Sequence, residues 1–187
     1  MSILKVAHMG HPVLRTPASA IDPADIKSPR IQQLIDDMLE TMKEYNGVGL
    51  AAPQIHEGLR LFVAGFASRP GDEDEEDEPD THVPLMTLIN PVITPHGTTV
   101  TEDWEGCLSI PEVRGRVPRA QEIDVTAYDR RGKRITVHAR GFTARVIQHE
   151  TDHLNGVLFL DRMTSLMTLT YLEEFRRYWS SRDAPEE

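Results

Sequence analysis

The fold of this chain is decided by one stretch in its last third, which reads Val146-Ile147-Gln148-His149-Glu150-Thr151-Asp152-His153-Leu154-Asn155-Gly156. The stretch contains the pattern H-E-x-x-H, in which two histidines are four residues apart. On a helix, side chains at that spacing lie on one face, so His149 and His153 can bind the same metal ion. The apolar residues on both sides of the motif predict a largely buried helix over residues 142–155, which stops at Gly156.

Glu150 follows the first histidine directly, about 100° further around the helix. Its carboxylate can therefore lie beside the open position of a metal ion and exchange protons with the reacting groups. The same five-residue pattern also arises by chance on solvent-exposed helices that carry two surface histidines. Burying two histidines and two acids is costly unless they are paired or bind a metal, so the apolar flanks favour the metal site.

A catalytic metal site needs a third ligand, and the sequence offers two sources. Glu173 and Glu174 lie about twenty residues downstream of the motif, within the range that a thermolysin-like zinc peptidase would need. Cys107, the single cysteine, lies upstream in Glu105-Gly106-Cys107-Leu108-Ser109 and would complete a His₂Cys set with one position left for water. A lone cysteine is more often an inert buried residue, so spacing alone leaves both alternatives open.

Small residues fill a further segment, Gly47-Val48-Gly49-Leu50-Ala51-Ala52-Pro53-Gln54. One interpretation is a helix end followed by close backbone packing. The other is that a substrate main chain lies against the segment while Gln54 donates a hydrogen bond into the site. Taken alone, the segment favours the packing interpretation.

The N-terminal third contains a second helix pattern, over residues 29–45. Ser28 suits the N-cap, Pro29 suits the first helical position, and apolar residues then recur every three or four positions. The segment Asn46-Gly47 is expected to end this helix, with the glycine in the left-handed conformation.

Short strands and a third helix complete the predicted fold, which is a single α+β domain over residues 1–187. Mostly antiparallel short strands surround a central helix carrying H-E-x-x-H, with an N-terminal and a C-terminal helix. The C-terminal helix is predicted over about residues 164–180 from apolar side chains at helical spacing. The predicted strands cover residues 60–66, 84–89 (ended by Asn90-Pro91), 123–127 and 135–139, the last two forming a hairpin.

The formal net charge of −10 comes mostly from one tract. Eight acids lie within residues 72–80, and outside that tract 22 acids face 20 bases. A mobile acidic surface loop is expected over about residues 69–83. The absence of a basic stripe predicts no nucleic-acid binding, and the lack of a long apolar run or a signal peptide predicts no membrane association and a cytoplasmic location.

Three of these segments together resemble the signature set of the peptide deformylase family. That set reads G-x-G-x-A-A-x-Q, E-G-C-x-S and H-E-x-x-H, and residues 47–54, 105–109 and 149–153 match it in the same order. Each segment is complete at its defining positions, and the resemblance spans about residues 12–161. The acidic loop resembles an insertion, and Asn46 stands where members often carry an acid, so the departures concern loops and subsites.

The resemblance implies a metal-dependent hydrolase that removes the N-formyl group from N-formylmethionyl termini of new polypeptides and releases formate. By position, Cys107, His149 and His153 match the family's metal ligands, and Glu150 matches its general base and acid. The remaining matches are Gln54 and the backbone N–H of Leu108 as donors to the formyl oxygen, and Val48 and Gly49 as backbone contacts of the substrate.

The resemblance also implies the cofactor and the partners. Iron(II) is the implied metal, although zinc, nickel and cobalt suit the same donors. The implied partners are N-formylmethionyl nascent peptides near the ribosome. An H-E-x-x-H zinc peptidase stays open as the alternative enzyme, and a non-catalytic module with a four-ligand structural metal as the alternative of another class.

Overall fold

The computed structural model describes residues 2–66 and 83–180. The acidic tract at 72–80 and the C-terminal tail from residue 182 lie outside the described residues. Val83, at the predicted end of the acidic loop, is fully buried. The helices are α1 (Pro29–Glu44), α2 (Gly141–Leu154), α3 (Phe159–Arg162) and α4 (Leu172–Tyr178), and the strands are β1 (Gly49–Ala51), β2 (Leu61–Ala64), β3 (Met86–Pro95), β4 (Val100–Cys107), β5 (Ile110–Ala120), β6 (Glu122–Tyr128), β7 (Arg134–Arg140) and β8 (Thr170–Tyr171).

A five-stranded antiparallel sheet with the order β1-β2-β3-β6-β7 forms the centre of the domain. The predicted hairpin is confirmed as β6 and β7. The prediction that a strand ends at Asn90-Pro91 is wrong, because β3 continues to Pro95. Proline cannot donate to the ladder, so the register shifts between Ile89 and Val92, and the side chain of Asn90 hydrogen-bonds the backbone of Ile21 instead.

Alternating side chains on this sheet bury its two faces against different helices. Leu61 and Val63 of β2 face α1, whereas Phe62 and Ala64 of the same strand face α2. The α1 side contains Ile31, Ile35, Met38 and Met42, and the α2 side contains Ala144, Val146, Ile147 and Leu154. The helix that carries H-E-x-x-H is therefore central, as predicted.

A long hairpin of β4 and β5, joined by the turn Leu108-Ser109, covers the outer side of α2, and β8 extends it into a three-stranded sheet. Gln148 on α2 fixes the hairpin through hydrogen bonds with both the N–H and the carbonyl of Ala120. Sequence patterning missed this hairpin because the first four residues of β4 are exposed, so the strand shows no apolar alternation.

The end of α1 differs from its prediction in one detail. Asn46, with a φ of 52°, takes the left-handed conformation that was expected of Gly47. Asparagine tolerates that conformation better than most residues do. Gly47 lies in close contact with the side chain of Leu108 instead, since a Cβ there would lie 2.9 Å from Cδ1 of Leu108 and that side chain would have to move.

The predicted C-terminal helix over residues 164–180 is wrong in its first half. Residues Leu166–Thr168 form a 3₁₀ turn capped by Ser165, β8 then pairs with β5, and only Leu172–Tyr178 is α-helical. The spacing of apolar residues predicted too long a helix because a 3₁₀ turn followed by a strand can show the same spacing. Leu166, the first apolar residue of the pattern, is 68% exposed and does not face a core. No helix within the described parts of the chain is long and apolar enough to cross a membrane.

We expect the α1 face of the sheet to contribute strongly to stability. Ile35 is fully buried, so Ile35→Ala should lower the free energy of unfolding by about 2–5 kcal/mol through lost burial and a residual cavity. Ile3 is 54% exposed and serves as the matched control, for which Ile3→Ala should cost less than about 0.5 kcal/mol. Urea denaturation of the metal-loaded protein measures both; equal losses would contradict this packing.

Candidate active site

Cys107, His149 and His153 meet in one buried cluster. Each offers one donor atom, and the three atoms lie within 4.8 Å of one another. Sγ of Cys107 is 3.2 Å from Nε2 of His153. The two imidazoles come from successive turns of α2, as the spacing predicted, and Cys107 is the last residue of β4, placed against them by the hairpin. Thiolate sulfur and imidazole nitrogen are donors that suit zinc and iron, so the three residues fit a resident divalent metal ion.

The downstream alternative for the third ligand is not supported. Glu173 and Glu174 lie on α4, where both carboxylates face Arg177 of the same short helix. They are absent from the groups of potential metal ligands found in the described residues. The donor set also differs from a closed structural site, because the described residues contribute three donors to it rather than four.

Glu105 holds His149 from the side opposite the cluster. Its Oε2 lies 2.9 Å from Nδ1 of His149 and 3.0 Å from Nη2 of Arg119. Its Oε1 accepts hydrogen bonds at 2.9 Å from Nε of Arg119 and from Nη1 of Arg145. A histidine ligand whose Nδ1 donates to a carboxylate is fixed in the tautomer that leaves Nε2 free for a metal.

Asp152 extends this network of buried charges. Its Oδ2 accepts from Nη1 of Arg119 at 2.5 Å, and its two oxygens accept from Arg162 at 2.7 and 3.1 Å. Both acids therefore pair with Arg119, and Glu105 also contacts His149. Arg119 bridges the two carboxylates and so ties β4 and β5 to α2.

Two arginines of this network were missed by sequence reasoning. Arg145 donates to Glu105 and also to the carbonyl oxygens of Val117 at 2.8 Å and Thr101 at 2.7 Å. Arg145 lies four residues before His149, on the same face of α2. That spacing, extended backwards from H-E-x-x-H, is the signal that could have identified it, whereas nothing local pointed to Arg162.

The electrostatics of the cluster favour a thiolate. Burial raises the pKa of the Cys107 thiol, but the charges and hydrogen bonds of His153 and His149 outweigh it and hold that pKa well below its usual value. Burial likewise raises the pKa of Glu105, and His149 with Arg119 holds it well below the ordinary range. Cys107 and Glu105 in turn hold the pKa of His149 above its usual value despite its burial, so thiol, carboxyl and imidazole are electrostatically linked.

Glu150 is nearly fully buried, and its Oε2 has no hydrogen-bond partner among the described residues. Burial raises the pKa of this carboxyl to about 7, although the neighbouring imidazoles oppose the shift. A carboxyl with a pKa near neutrality can both accept and deliver a proton. Gly49 packs directly against it, since any Cβ at that position would overlap the Glu150 carboxylate.

Gln54 is buried beside the cluster with its amide held at both ends. Its Oε1 accepts from the N–H of Ala51 at 2.8 Å, and its Nε2 donates to Oγ of Ser109 at 3.3 Å and to Sγ of Cys107 at 3.5 Å. The amide N–H₂ therefore faces the donor cluster. Leu108 follows Cys107 in the β4–β5 turn, and its side chain lies over Gly47. The fold therefore brings the segment 47–54 into contact with the segment 105–109.

Strand β1 offers an open edge next to Glu150. The N–H of Gly65 donates to the carbonyl of Val48 at 2.8 Å, so Val48 and Gly65 form a hydrogen-bonded pair of the ladder. The next pair, Gly49 and Ala64, is then a non-hydrogen-bonded pair, and the N–H and carbonyl of Gly49 point away from β2. Among the described strands β1 pairs with β2 alone, so these groups are open to an extended chain.

Comparison with known proteins identifies the family to which the chain belongs. The sequence profile of the family described as polypeptide deformylase matches residues 3–168. The chain belongs to the peptide deformylase family. Peptide deformylase 2 of Nostoc sp. is 42% identical over 177 residues, which cover 93% of each chain. Peptide deformylase 1 of Bordetella pertussis is 44% identical over 169 residues, which cover 90% of this chain and 92% of the relative.

Solved structures agree with this assignment. The crystal structure of a class I type b peptide deformylase from Acinetobacter baumannii with bound Met-Ala-Ser matches with a TM-score of 0.77 at 36% identity, covering 87% of this chain and all of that one. The reaction of the family is the metal-dependent removal of the N-formyl group from nascent polypeptides. This deformylase therefore acts on formylated peptides, and the zinc-peptidase alternative is excluded.

We expect Glu105 to act on metal affinity through His149. Glu105→Gln removes the charge that orients the imidazole, so metal affinity should fall by about 10–100-fold. Arg145 would then lose its carboxylate partner while buried, and Arg119 would keep only Asp152, which should also cost about 3–5 kcal/mol of stability. Chelator competition measures the affinity, with Glu102→Gln on the exposed part of β4 as the matched control. Equal affinities in the two variants would contradict the role given to Glu105.

Proposed function

We propose that Cys107, His149 and His153 hold one divalent metal ion and that Glu150 moves the protons of the deformylation reaction. The observation that carries the proposal is the convergence of three buried donor atoms beside a buried carboxyl with a free oxygen. When bound, the metal ion activates a water molecule at neutral pH and polarises the carbonyl under attack.

Glu150 is the proposed general base and then the proposed general acid. Its free Oε2 accepts the proton of the attacking water, and the same oxygen delivers that proton to the amide nitrogen that leaves with the methionyl peptide. Burial raises the pKa of this carboxyl above its ordinary value, which supports a group that can carry a proton from one step to the next. The buried position of the carboxyl keeps bulk water from competing for the proton.

Gln54 and the backbone N–H of Leu108 are the proposed donors to the formyl oxygen. The amide of Gln54 is held at its carbonyl end by Ala51, which supports a fixed donor rather than one that must reorient during the reaction. Donors positioned before the reaction stabilise developing negative charge, and losing one costs about 10²–10³ in rate.

Gly49 is the proposed backbone anchor for the substrate main chain, with Val48 flanking it. The N–H and carbonyl of Gly49 point away from β2, so an extended peptide can add to the edge of the sheet. The carbonyl of Val48 is already engaged by Gly65, which leaves Gly49 with the main role. The A. baumannii relative binds Met-Ala-Ser, which supports a peptide beginning with methionine as the ligand here too.

Iron(II) is the proposed native metal, and formylated nascent chains near the ribosome, in the cytoplasm, are the proposed substrates. The thiolate and imidazole donors suit iron as well as zinc, nickel or cobalt. Protein purified without oxygen should retain iron by elemental analysis and release formate from a formyl-Met peptide. Peroxide should abolish that activity through oxidation of the Cys107 ligand or the metal. Full activity of the zinc form together with no retained iron would contradict iron as the native metal.

The most direct mutational test removes the proton carrier alone. Glu150→Gln keeps the size of the side chain but cannot accept and deliver a proton, so turnover should fall by about 10²–10⁴ with metal content unchanged. Glu173→Gln is the matched control and should change neither. Elemental analysis and single-turnover deformylation of the same preparations measure both quantities. A metal-replete Glu150→Gln protein with near-normal turnover would refute the mechanism.

The contact between Gly49 and Glu150 gives a second test. Gly49→Ala adds a methyl group that overlaps the Glu150 carboxylate, so this carboxylate must shift and turnover should fall by about 10²-fold. Gly58→Ala is the matched control, because a Cβ there meets nothing within 4 Å. Steady-state assays on folded, metal-loaded variants decide, and equal activities would show that Glu150 is not confined by Gly49.

A further inference from the structure

A second group of potential metal ligands lies at an exposed end of the five-stranded sheet, apart from the active-site donors. It consists of His96, Asp124 and His138, contributed by three consecutive neighbours in the sheet. Asp124 of β6 and His138 of β7 are direct cross-strand partners. His96 directly follows β3, and its N–H donates to the carbonyl of Glu122 on β6 at 2.9 Å.

The three side chains already converge on one point. Nδ1 of His138 is 2.9 Å from Oδ1 of Asp124, and Nδ1 of His96 is 3.2 Å from Oδ2 of the same carboxylate. The two imidazole rings lie 5.2 Å apart, edge to face. One donor atom from each residue lies within 4.8 Å of the others. For comparison, ligand atoms bound to zinc at about 2.0–2.1 Å are roughly 3.3 Å apart, so small side-chain movements suffice to bind an ion.

A second carboxylate lies within reach of this group. Oε2 of Glu122 is 3.9 Å from Nε2 of His138, and Glu122 lies two residues before Asp124 on the same face of β6. The register pairs Glu122 with Arg140 of β7. Asp124 thus contacts Nδ1 of His138 while Glu122 lies near Nε2 of the same ring, so a second negative charge lies beside the three converging side chains.

We propose that His96, Asp124 and His138 form a second metal site, which binds one divalent cation of the imidazole-preferring class, such as Zn²⁺. Imidazole nitrogen selects zinc, nickel or copper over magnesium and calcium, which prefer oxygen donors. The residues are each about half exposed, so the ion keeps water in its remaining positions and exchanges with solvent. The alternative is a set of surface ion pairs without metal.

The site would clamp three strands at one end of the sheet. The stretches that supply its ligands follow or belong to β3, β6 and β7, which are neighbours in the sheet. An ion that binds only this folded arrangement stabilises it by mass action. Exposed ion pairs alone contribute little, so metal-dependent stabilisation separates the two interpretations.

The test measures zinc bound per chain by equilibrium dialysis and elemental analysis, on enzyme whose active site is filled with Zn²⁺. Excess Mg²⁺ is present throughout, so that the acidic tract at 72–80 is occupied by a hard cation. The wild-type protein should bind two Zn²⁺ per chain. The double variant His96→Ala/His138→Ala should bind one, and Asp124→Asn should weaken the second equivalent by about 10–100-fold.

A matched double variant controls for unspecific histidine binding. His11 and His56 also form a ring pair, 4.7 Å apart, but belong to no group of three potential ligands in the described residues. His11→Ala/His56→Ala should therefore still bind two Zn²⁺. The proposal is overturned if the wild type binds one Zn²⁺, if His96→Ala/His138→Ala keeps the second, or if His11→Ala/His56→Ala loses it.

Discussion

The active site depends on the hydrogen bonds and ion pairs that the carboxylate of Glu105 makes. It belongs to β4 and receives hydrogen bonds from Arg119 of β5 and from Arg145 and His149 of α2. These bonds lock the hairpin that ends in Cys107 to the helix that carries the two imidazoles. Burying an ionised carboxylate is unfavourable unless its partners are in place, so the packing that creates the site and the network that neutralises Glu105 depend on each other.

This arrangement explains why the site needs three separate segments of the chain. Helix α2 supplies two imidazoles and Glu150, and the end of β4 supplies the thiolate. Strand β1 supplies Gly49, and the 3₁₀ turn directly after it supplies Gln54. Gly49 leaves space for the Glu150 carboxylate, and Gln54 contacts Cys107. Each segment therefore limits the side-chain positions of another, and a substrate bound along β1 would lie directly beside Glu150.

The sequence alone predicted the features that depend on the spacing of residues within one short segment. The i, i+4 histidines, the α1 stripe and the β6–β7 hairpin were found because each has a period that a single segment displays. The β4–β5 hairpin was missed, since its exposed first half lacks apolar alternation, and the C-terminal helix was overextended because an exposed 3₁₀ turn and a strand have a similar apolar spacing. Arg145 and Arg162 went unnoticed because their partners lie on other elements, on β4 and β5 for Arg145 and on α2 for Arg162. The same holds for His96, Asp124 and His138, which only the sheet register brings together.

The position of the proton on the His149 ring tests the central claim most directly. If Glu105 fixes this imidazole, the ring carries its proton on Nδ1 and leaves Nε2 without one in the zinc-loaded enzyme. Long-range ¹H–¹⁵N correlation spectra of histidine-labelled protein distinguish the two nitrogens. The account predicts a protonated Nδ1 in the wild-type protein and loss of that signal's hydrogen-bonded shift in Glu105→Gln. A His149 ring protonated on Nε2 with Nδ1 unprotonated would contradict it.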